Sequence, residues 1–349
     1  MNILKIVKKL LLILIVVIGG GFVIFLLSTS SVNKEILLEN PDELYSRFGD
    51  FGSDEILKKK EVDGGAFQIL KSFGTFFPRF KSIKHSSVYS IAYKSDDLTV
   101  SGSLVVPKKE GKYPCVIFNR GGNRNYGRLD FRMINKYMTF LAEQGYVVIA
   151  SNYRGNNGGE GKDELGGEDV QDVLNLIPVL SQIDKADTSR IGIYGHSRGG
   201  MMTYKALRES NKFKAAVVLA GTTNAFNTVK NRPELEERVH SQIIPNYKED
   251  KENQLKERSV VFWEDQLNRV PLLMLHGTAD KSVDYNQPIE LVNKFESIKF
   301  PYQFVSYKAD DHKLSKNRKD MEKRVIDWFN KYLRDQKAFK ETEKIIEIK

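Results

Sequence analysis

Cysteine is nearly absent: Cys115 is the only one in 349 residues. An intrachain disulfide is therefore impossible, and the apolar run Pro114–Phe118 around it marks a small buried hydrophobe. Glycine (26) and proline (10) are not in excess, and no internal repeat or low-complexity tract interrupts the chain. Solenoid and disordered architectures are excluded on that ground. No cluster has zinc-ligand spacing, and P-loop and dinucleotide fingerprints are missing, so neither a metal nor an organic cofactor is expected. Acidic residues fall short of basic ones, 45 against 54, for a formal charge of +9. The lysines are scattered and no zinc-finger, RNP or helix-turn-helix signature accompanies them, so nucleic acid is not expected as a partner. A basic face near anionic lipid or cell-wall polymer suits the charge, as does plain solubility.

What is present begins with one long apolar run, Leu10–Leu27, preceded by Lys5, Lys8 and Lys9. As a helix it would cover roughly 27 Å, close to the ~30 Å hydrocarbon core. The lysines should stay cytoplasmic and place everything after Ser31 outside. Residues 1–9 are thus expected as a cytoplasmic tail and 10–28 as a transmembrane anchor. Cleavage of a signal peptide near Ser28–Ser30 is the alternative, and export follows either way.

The whole chain is 41% hydrophobic and 28% charged, enough for a sizeable core. Residues 29–83 carry mixed helical signals broken by Gly64, Gly65 and Pro78, and are expected to form a short helical stalk or shoulder. From there to residue 336 the texture is that of one domain. Val88–Tyr93 and Leu98–Val106 predict a hairpin around Ser95-Asp-Asp97, followed by a strand at Tyr113–Phe118. Strand and helix patterns then alternate, with strands at Tyr146–Ala150, Arg190–Tyr194, Lys214–Leu219, Pro271–Leu275 and Tyr302–Tyr307. Pro178 should kink the helix marked by Val170, Val173, Leu174 and Ile177. A polar helical insert at 222–265 is a candidate lid, and 337–349 is a charged tail. An antiparallel opening followed by strand–helix units predicts an α/β fold with a mostly parallel sheet covered on both faces.

The sharpest motif is Gly195-His-Ser197-Arg-Gly199-Gly200, between the strand Ile191–Tyr194 and the helix beginning near Met201. G-x-S-x-G raises a serine clear of a sheet on a tight strand-to-helix turn, where side chains two positions away would collide. A base and an acid must follow in the order Ser, Asp, His. Of five histidines, His85 precedes the fold, His196 lies in the elbow, His240 in the insert, and His276 ends a strand. His312 occupies the loop where a general base is wanted. Asp280, at the end of Leu275-His-Gly-Thr-Ala-Asp280, runs off a strand end and can orient His312. Asp310 and Asp311 are read as surface charge or substrate contacts. The oxyanion needs two backbone donors: Arg198, directly after the serine, and one from the glycine loop Asn119-Arg-Gly-Gly-Asn123. Gly121, Gly122 and Asn123 all stay open for the second donor.

From about His85 to Leu333 the chain resembles the catalytic domain of the prolyl oligopeptidase family of serine peptidases. The matching segments are Tyr113–Gly122, Asn152-Tyr-Arg-Gly155 with Gly158-Gly-Glu-Gly161, Asp169–Val173, Arg190–Gly200 and Leu275–Asp280. The resemblance implies an α/β-hydrolase fold with Ser197, Asp280 and His312 as triad. Three departures stand out. The segment before the core is too short for the β-propeller of some members, Arg120 replaces the family's histidine before Gly-Gly, and no glycine adjoins His312. The expected reaction is hydrolysis through an acyl-enzyme, of a small peptide or, alternatively, of a carboxylic ester. A non-catalytic surface binding module is a third reading, against which the complete triad argues. The sequence does not speak to oligomeric state.

Overall fold

The computed structural model describes residues 29–63, 83–340 and 345–348. The apolar run Leu10–Leu27 lies outside the described residues, and among those described no helix is long and apolar enough to cross a membrane.

The strands are β1 (Leu57–Glu61), β2 (Ser86–Ser95), β3 (Leu98–Pro107), β4 (Tyr113–Asn119), β5 (Val147–Ser151), β6 (Ala186–His196), β7 (Phe213–Leu219), β8 (Leu272–Gly277), β9 (Tyr302–Tyr307) and β10 (Ile345–Ile348). Among the described residues they form one sheet, in the order β1-β2-β3-β5-β4-β6-β7-β8-β9-β10. β2 and β3 form the expected hairpin, with Ser95 opposite Leu98 and Asp96 at φ 52° in the turn. β1 to β3 run antiparallel, and β3 joins β5 antiparallel. From β5 through β4 to β10 every pairing is parallel.

The register aligns the strands' carboxyl ends, with Asn119 beside both Ser151 and Gly195, and His196 beside Leu219. In open α/β sheets that edge is where loops converge on ligands. The central strands are buried on both faces and read as continuous apolar runs, as parallel strands covered by helices must. One face packs under the helix Arg198–Glu209 and the other under Phe131–Tyr137 and Arg318–Phe329. Helix breaks fall where chemistry demands. The pattern around Pro178 splits at Asn175 into Gln171–Leu174 and Leu176–Leu180, because a proline ring collides with the carbonyl four residues back. Cys115 is fully buried in β4, and burial pushes its thiol up to about 12, leaving it inert.

Three expectations change. The segment expected as a helical stalk is joined to the domain. Residues 29–36 are helical, with Val32 and Ile36 in the core, and the helix Pro41–Phe48 places Leu44 against Leu38 and Ala92. That helix starts where Asn40 accepts from the N–H of Glu43 with Pro41 just inside, and ends at Gly49, φ 71°. β1 then extends the sheet, its lysines 58 to 60 guarding an exposed edge against further pairing. At the other end, the charged tail returns as β10 beside β9. The insert holds several short helices around an apolar cluster of Ala225, Val229, Val239, Ile244, Tyr247 and Leu255, which Leu165 of the core domain joins.

If the shoulder belongs to the folding unit, Leu44→Ala should cost about 2–5 kcal/mol, the range for a buried leucine. Chemical denaturation followed by tryptophan fluorescence reads this directly. An unchanged midpoint would return the segment to a passive stalk.

Candidate active site

Ser197 sits between the end of β6 and the start of the helix Arg198–Glu209, at φ 59° and ψ −123°. A positive φ at a non-glycine residue costs on the order of 1–3 kcal/mol and persists only where the surroundings over-determine it. Here they do. The N–H of Ser197 donates to Leu219 of β7 (3.0 Å), and its carbonyl accepts from Gly200 (2.8 Å). A Cβ on Gly195 would lie 2.0 Å from the Gly199 carbonyl oxygen, and one on Gly199 would lie 1.9 Å from that of Asn119. Both glycines are obligatory for the crossing.

The structure brings the three expected residues to the same end of the sheet. His312 Nδ1 donates to Asp280 Oδ2 at 2.7 Å. An ionised carboxylate only accepts, so Nδ1 carries the proton and Nε2 is left as an acceptor. Ser197 and His312 line one cavity of about 220 Å³. Asp280 is held in turn: its Oδ1 accepts from the N–H groups of Ser282 (2.7 Å) and Val283 (3.0 Å). Buried His276 places Nε2 3.2 Å from Asp280 Oδ2 and 3.0 Å from the carbonyl of Val283. Because that carbonyl can only accept, His276 Nε2 is a donor. Burial works against the charge on Asp280, but hydrogen bonds from His276 and His312 outweigh it and hold the carboxyl well below the usual range.

His312 is also held from behind. His196 Nε2 donates to its carbonyl (3.2 Å), and the two rings lie 4.9 Å apart. Burial, then the neighbouring His312, keeps His196 well below the ordinary histidine value and hence neutral. Asp310, expected at the surface, is fully buried. Its carboxylate accepts from the backbone of Asp311 (2.9 Å), Lys316 (3.1 Å) and Asn317 (3.0 Å), which organises the loop carrying His312. Asp311 faces solvent and binds Ser315.

The glycine loop after β4 is organised by a guanidinium. Arg120 is fully buried and donates to the carbonyls of Gly121 (3.1 Å), Arg124 (2.9 Å), Tyr126 (3.2 Å) and Asn152 (2.6 and 3.0 Å). In a trans peptide the carbonyl and the next N–H point opposite ways. Turning the Gly121 carbonyl to Arg120 therefore turns the Gly122 N–H away from it. Arg198 repeats the device, drawing the Gly122 carbonyl (3.2 Å) and so aiming the Asn123 N–H outward. Neither N–H meets an acceptor among the described residues, and both residues line the cavity beside Ser197. Gly121 lies behind them, where an added Cβ would come within 3.0 Å of the Ser197 Cβ.

Arg198 carries its own counterions. It binds Asp163 through both terminal nitrogens (2.9 and 2.7 Å) and Asp169 through Nη2. The Tyr153 ring lies 4.9 Å from the Arg120 guanidinium and 4.7 Å from that of Arg198, and its hydroxyl donates to the Arg120 carbonyl (3.0 Å). The sequence showed Tyr153, Asp169 and His276 only within matched segments, set His276 aside as the end of a strand, and gave no sign of Asp163 or the work of Arg120. Beyond the triad the cavity is walled by the insert, through Leu235, Val239, His240 and Arg258, with Tyr126 77% exposed at its mouth.

Comparison with known proteins bears on the family and the fold. The model of the prolyl oligopeptidase family matches residues 132–336, a span that holds Ser197, Asp280 and His312. An uncharacterized peptidase of Bacillus subtilis, YtmA, is 30% identical over 66% of this chain and 87% of its own. A putative esterase of the same organism, YitV, is 29% identical over 68% of this chain and 98% of its own. Among solved structures, Pyrococcus horikoshii acylaminoacyl peptidase superposes with a TM-score of 0.65 at 25% identity, over 77% of this chain and 44% of that one. The chain thus spans less than half of the archaeal enzyme.

The Arg120 arrangement yields a kinetic expectation. Arg120→Lys keeps the charge but cannot span four carbonyls with a single ammonium. Loss of one oxyanion donor typically costs about 10²–10³ in kcat; a loosened donor should cost roughly ten- to a hundredfold, with KM nearly unchanged. Steady-state kinetics checks it, and a raised KM at normal kcat would make the loop a binding element instead.

Proposed function

Since this chain belongs to the prolyl oligopeptidase family of serine peptidases, we propose that it cleaves small peptides through an acyl-enzyme on Ser197, with His312 as base and Asp280 as its orienting acid. The observation that carries the reading is the 2.7 Å His312–Asp280 bond, placed beside a serine held at a strained elbow in the same cavity. His312 Nε2 takes the Ser197 proton as Oγ attacks the carbonyl carbon. The carbonyl oxygen becomes an oxyanion that accepts from the N–H of Arg198 and from Gly122 or Asn123. Collapse expels the amine, which leaves with the proton from His312. Water, deprotonated by the same imidazole, then releases the acid and restores Ser197. Asp280 stays ionised throughout, as its depressed pKa requires.

A carboxylesterase is the second reading, favoured by the likeness to YitV along nearly all of that protein's length. The two share every step and differ only in the leaving group. Ser197→Ala should abolish both turnover and fluorophosphonate labelling without lowering the melting temperature. Labelling that persists in the folded variant would remove Ser197 from the chemistry, and kcat/KM on matched amide and ester panels decides between peptidase and esterase.

The proposal extends to location: Leu10–Leu27 anchors the chain in a membrane, with the catalytic domain on the extracytoplasmic side. The lysines before the run support this orientation. The described helix of residues 29–36 is already packed on the domain, so the domain would stand at the bilayer surface with almost no tether. Protease added to intact cells should reach the domain, and the mature chain should retain its first residues. Protection would reverse the orientation; a new N-terminus near Ser31 would replace the anchor with a cleaved signal.

A further inference from the structure

The cavity beside Ser197 has an unbalanced wall. Leu165, Met201, Leu235 and Val239 give it apolar surface, but its ionisable lining is Arg198, Arg232, Arg258, His240 and the catalytic His312. No aspartate or glutamate lines it among the described residues. Arg198 is matched by Asp163 and Asp169. Among the described residues Arg258 makes no direct ion pair, and Asp169, Glu164 and Glu257 act on its charge only from farther off. It is only 3% exposed and donates to the carbonyls of Glu164 (2.9 Å), Leu165 (2.8 Å) and Gln254 (2.9 Å) and to the Gln254 side chain (2.8 Å), all uncharged acceptors. Arg120, outside the cavity lining, is buried as well and again donates to carbonyls alone. The buried set therefore holds three guanidiniums against two carboxylates. At the rim, Arg232 pairs with Glu234 (3.2 Å), an exposed residue outside the cavity lining.

A buried cation without a counterion is costly, and a ligand that supplies the missing charge gains what the empty pocket lacks. A second cation brought into the same space would face three arginines in a medium of reduced dielectric. The cavity, at about 220 Å³, has the room of roughly seven waters, enough for one amino-acid side chain. We propose that it selects a substrate whose scissile carbonyl belongs to a residue with a carboxylate side chain, glutamate or aspartate, and rejects lysine and arginine there. Arg258 and Arg232 are the residues that set this preference, both supplied by the insert. The proposal rests on the hydrolase reading above and names the substrate class of that site.

The test uses the full chain in detergent and the p-nitroanilides and p-nitrophenyl esters of N-acetyl Glu, Gln, Leu and Lys, with fluorophosphonate labelling of the same preparation. Glu should exceed Gln in kcat/KM by about tenfold or more, within the range of single-pocket discrimination, and Lys should be poorest. Arg232→Gln and Arg258→Met should each bring the Glu-to-Gln ratio towards one. That ratio is internal to each preparation, so partial unfolding of the Arg258 variant does not distort it, and the rim variant Arg232→Gln repeats the test without touching the buried network. Labelled enzyme that shows no Glu preference, or prefers Lys, overturns the pocket assignment and leaves the hydrolase reading intact. Enzyme that is neither labelled nor active on any of the eight overturns both.

Discussion

The chain reverses at Ser197 in a turn that tolerates no side chain two positions to either side, and the site is built around that crossing. The end of β6, the first turn of the elbow helix, the loop after β4 and the end of β7 meet there at backbone-to-backbone distance. The contact between Gly199 and the Asn119 carbonyl is so close that a methyl group would overlap it. This proximity puts the glycine loop alongside the serine, with Gly122 and Asn123 lining the same cavity as Ser197 and Arg198. It also gives the strained φ of Ser197 something to hold it. The hydrogen bonds to Leu219 and Gly200 resist relaxation of the turn, and the serine remains presented to the cavity without a folding transition at each turnover.

Electrostatics does the rest of the positioning. Buried charges stabilise a fold only when their hydrogen-bonding capacity is met. Arg120 meets its own on four carbonyls, one of which, that of Gly121, precedes the Gly122 amide proposed as an oxyanion donor. Arg198, Asp163 and Asp169 act from the other side, with Asp163 also accepting from the N–H of Arg124 (2.7 Å) and so gripping the same loop further along. The Tyr153 ring offers a π-face to both guanidiniums. A histidine at position 120 could not reach four carbonyls. The substitution that departs from the family pattern thus comes with its own supporting network.

What was legible in the sequence was what local chemistry dictates. The elbow declares itself through spacing, because the glycines are needed where they stand. Asp280 and His312 follow from chain order and from strand-end placement, and the structure pairs them directly. The alternating apolar runs marked the central strands to within a few residues. What escaped were features decided by distant partners. β1 reads Leu-Lys-Lys-Lys-Glu, with no strand signature, and exists because β2 offers it a ladder. Asp310 looks like a solvent-facing charge until the loop closes over it. Arg120 looked like a defect in a motif, since nothing local shows that four carbonyls converge on it.

The shoulder adds a coupling that neither the core nor the anchor has alone. Asn33 accepts from the N–H of Phe131 (2.9 Å), at the head of the helix that follows the glycine loop. Asn157 accepts from the N–H of Leu38 (3.1 Å), and its own N–H donates to the side chain of Asn125 (2.8 Å), within that loop. Residues 33–38 are thus tied within two links to the segment that aims the oxyanion donors. On the proposed topology these are also the first residues beyond the bilayer. A flexible stalk would let the domain tumble and would isolate the loop from the anchor. The docked shoulder does the opposite: on that proposed topology it would fix the cavity mouth in one orientation to the membrane and tie the geometry of the loop to the anchored end.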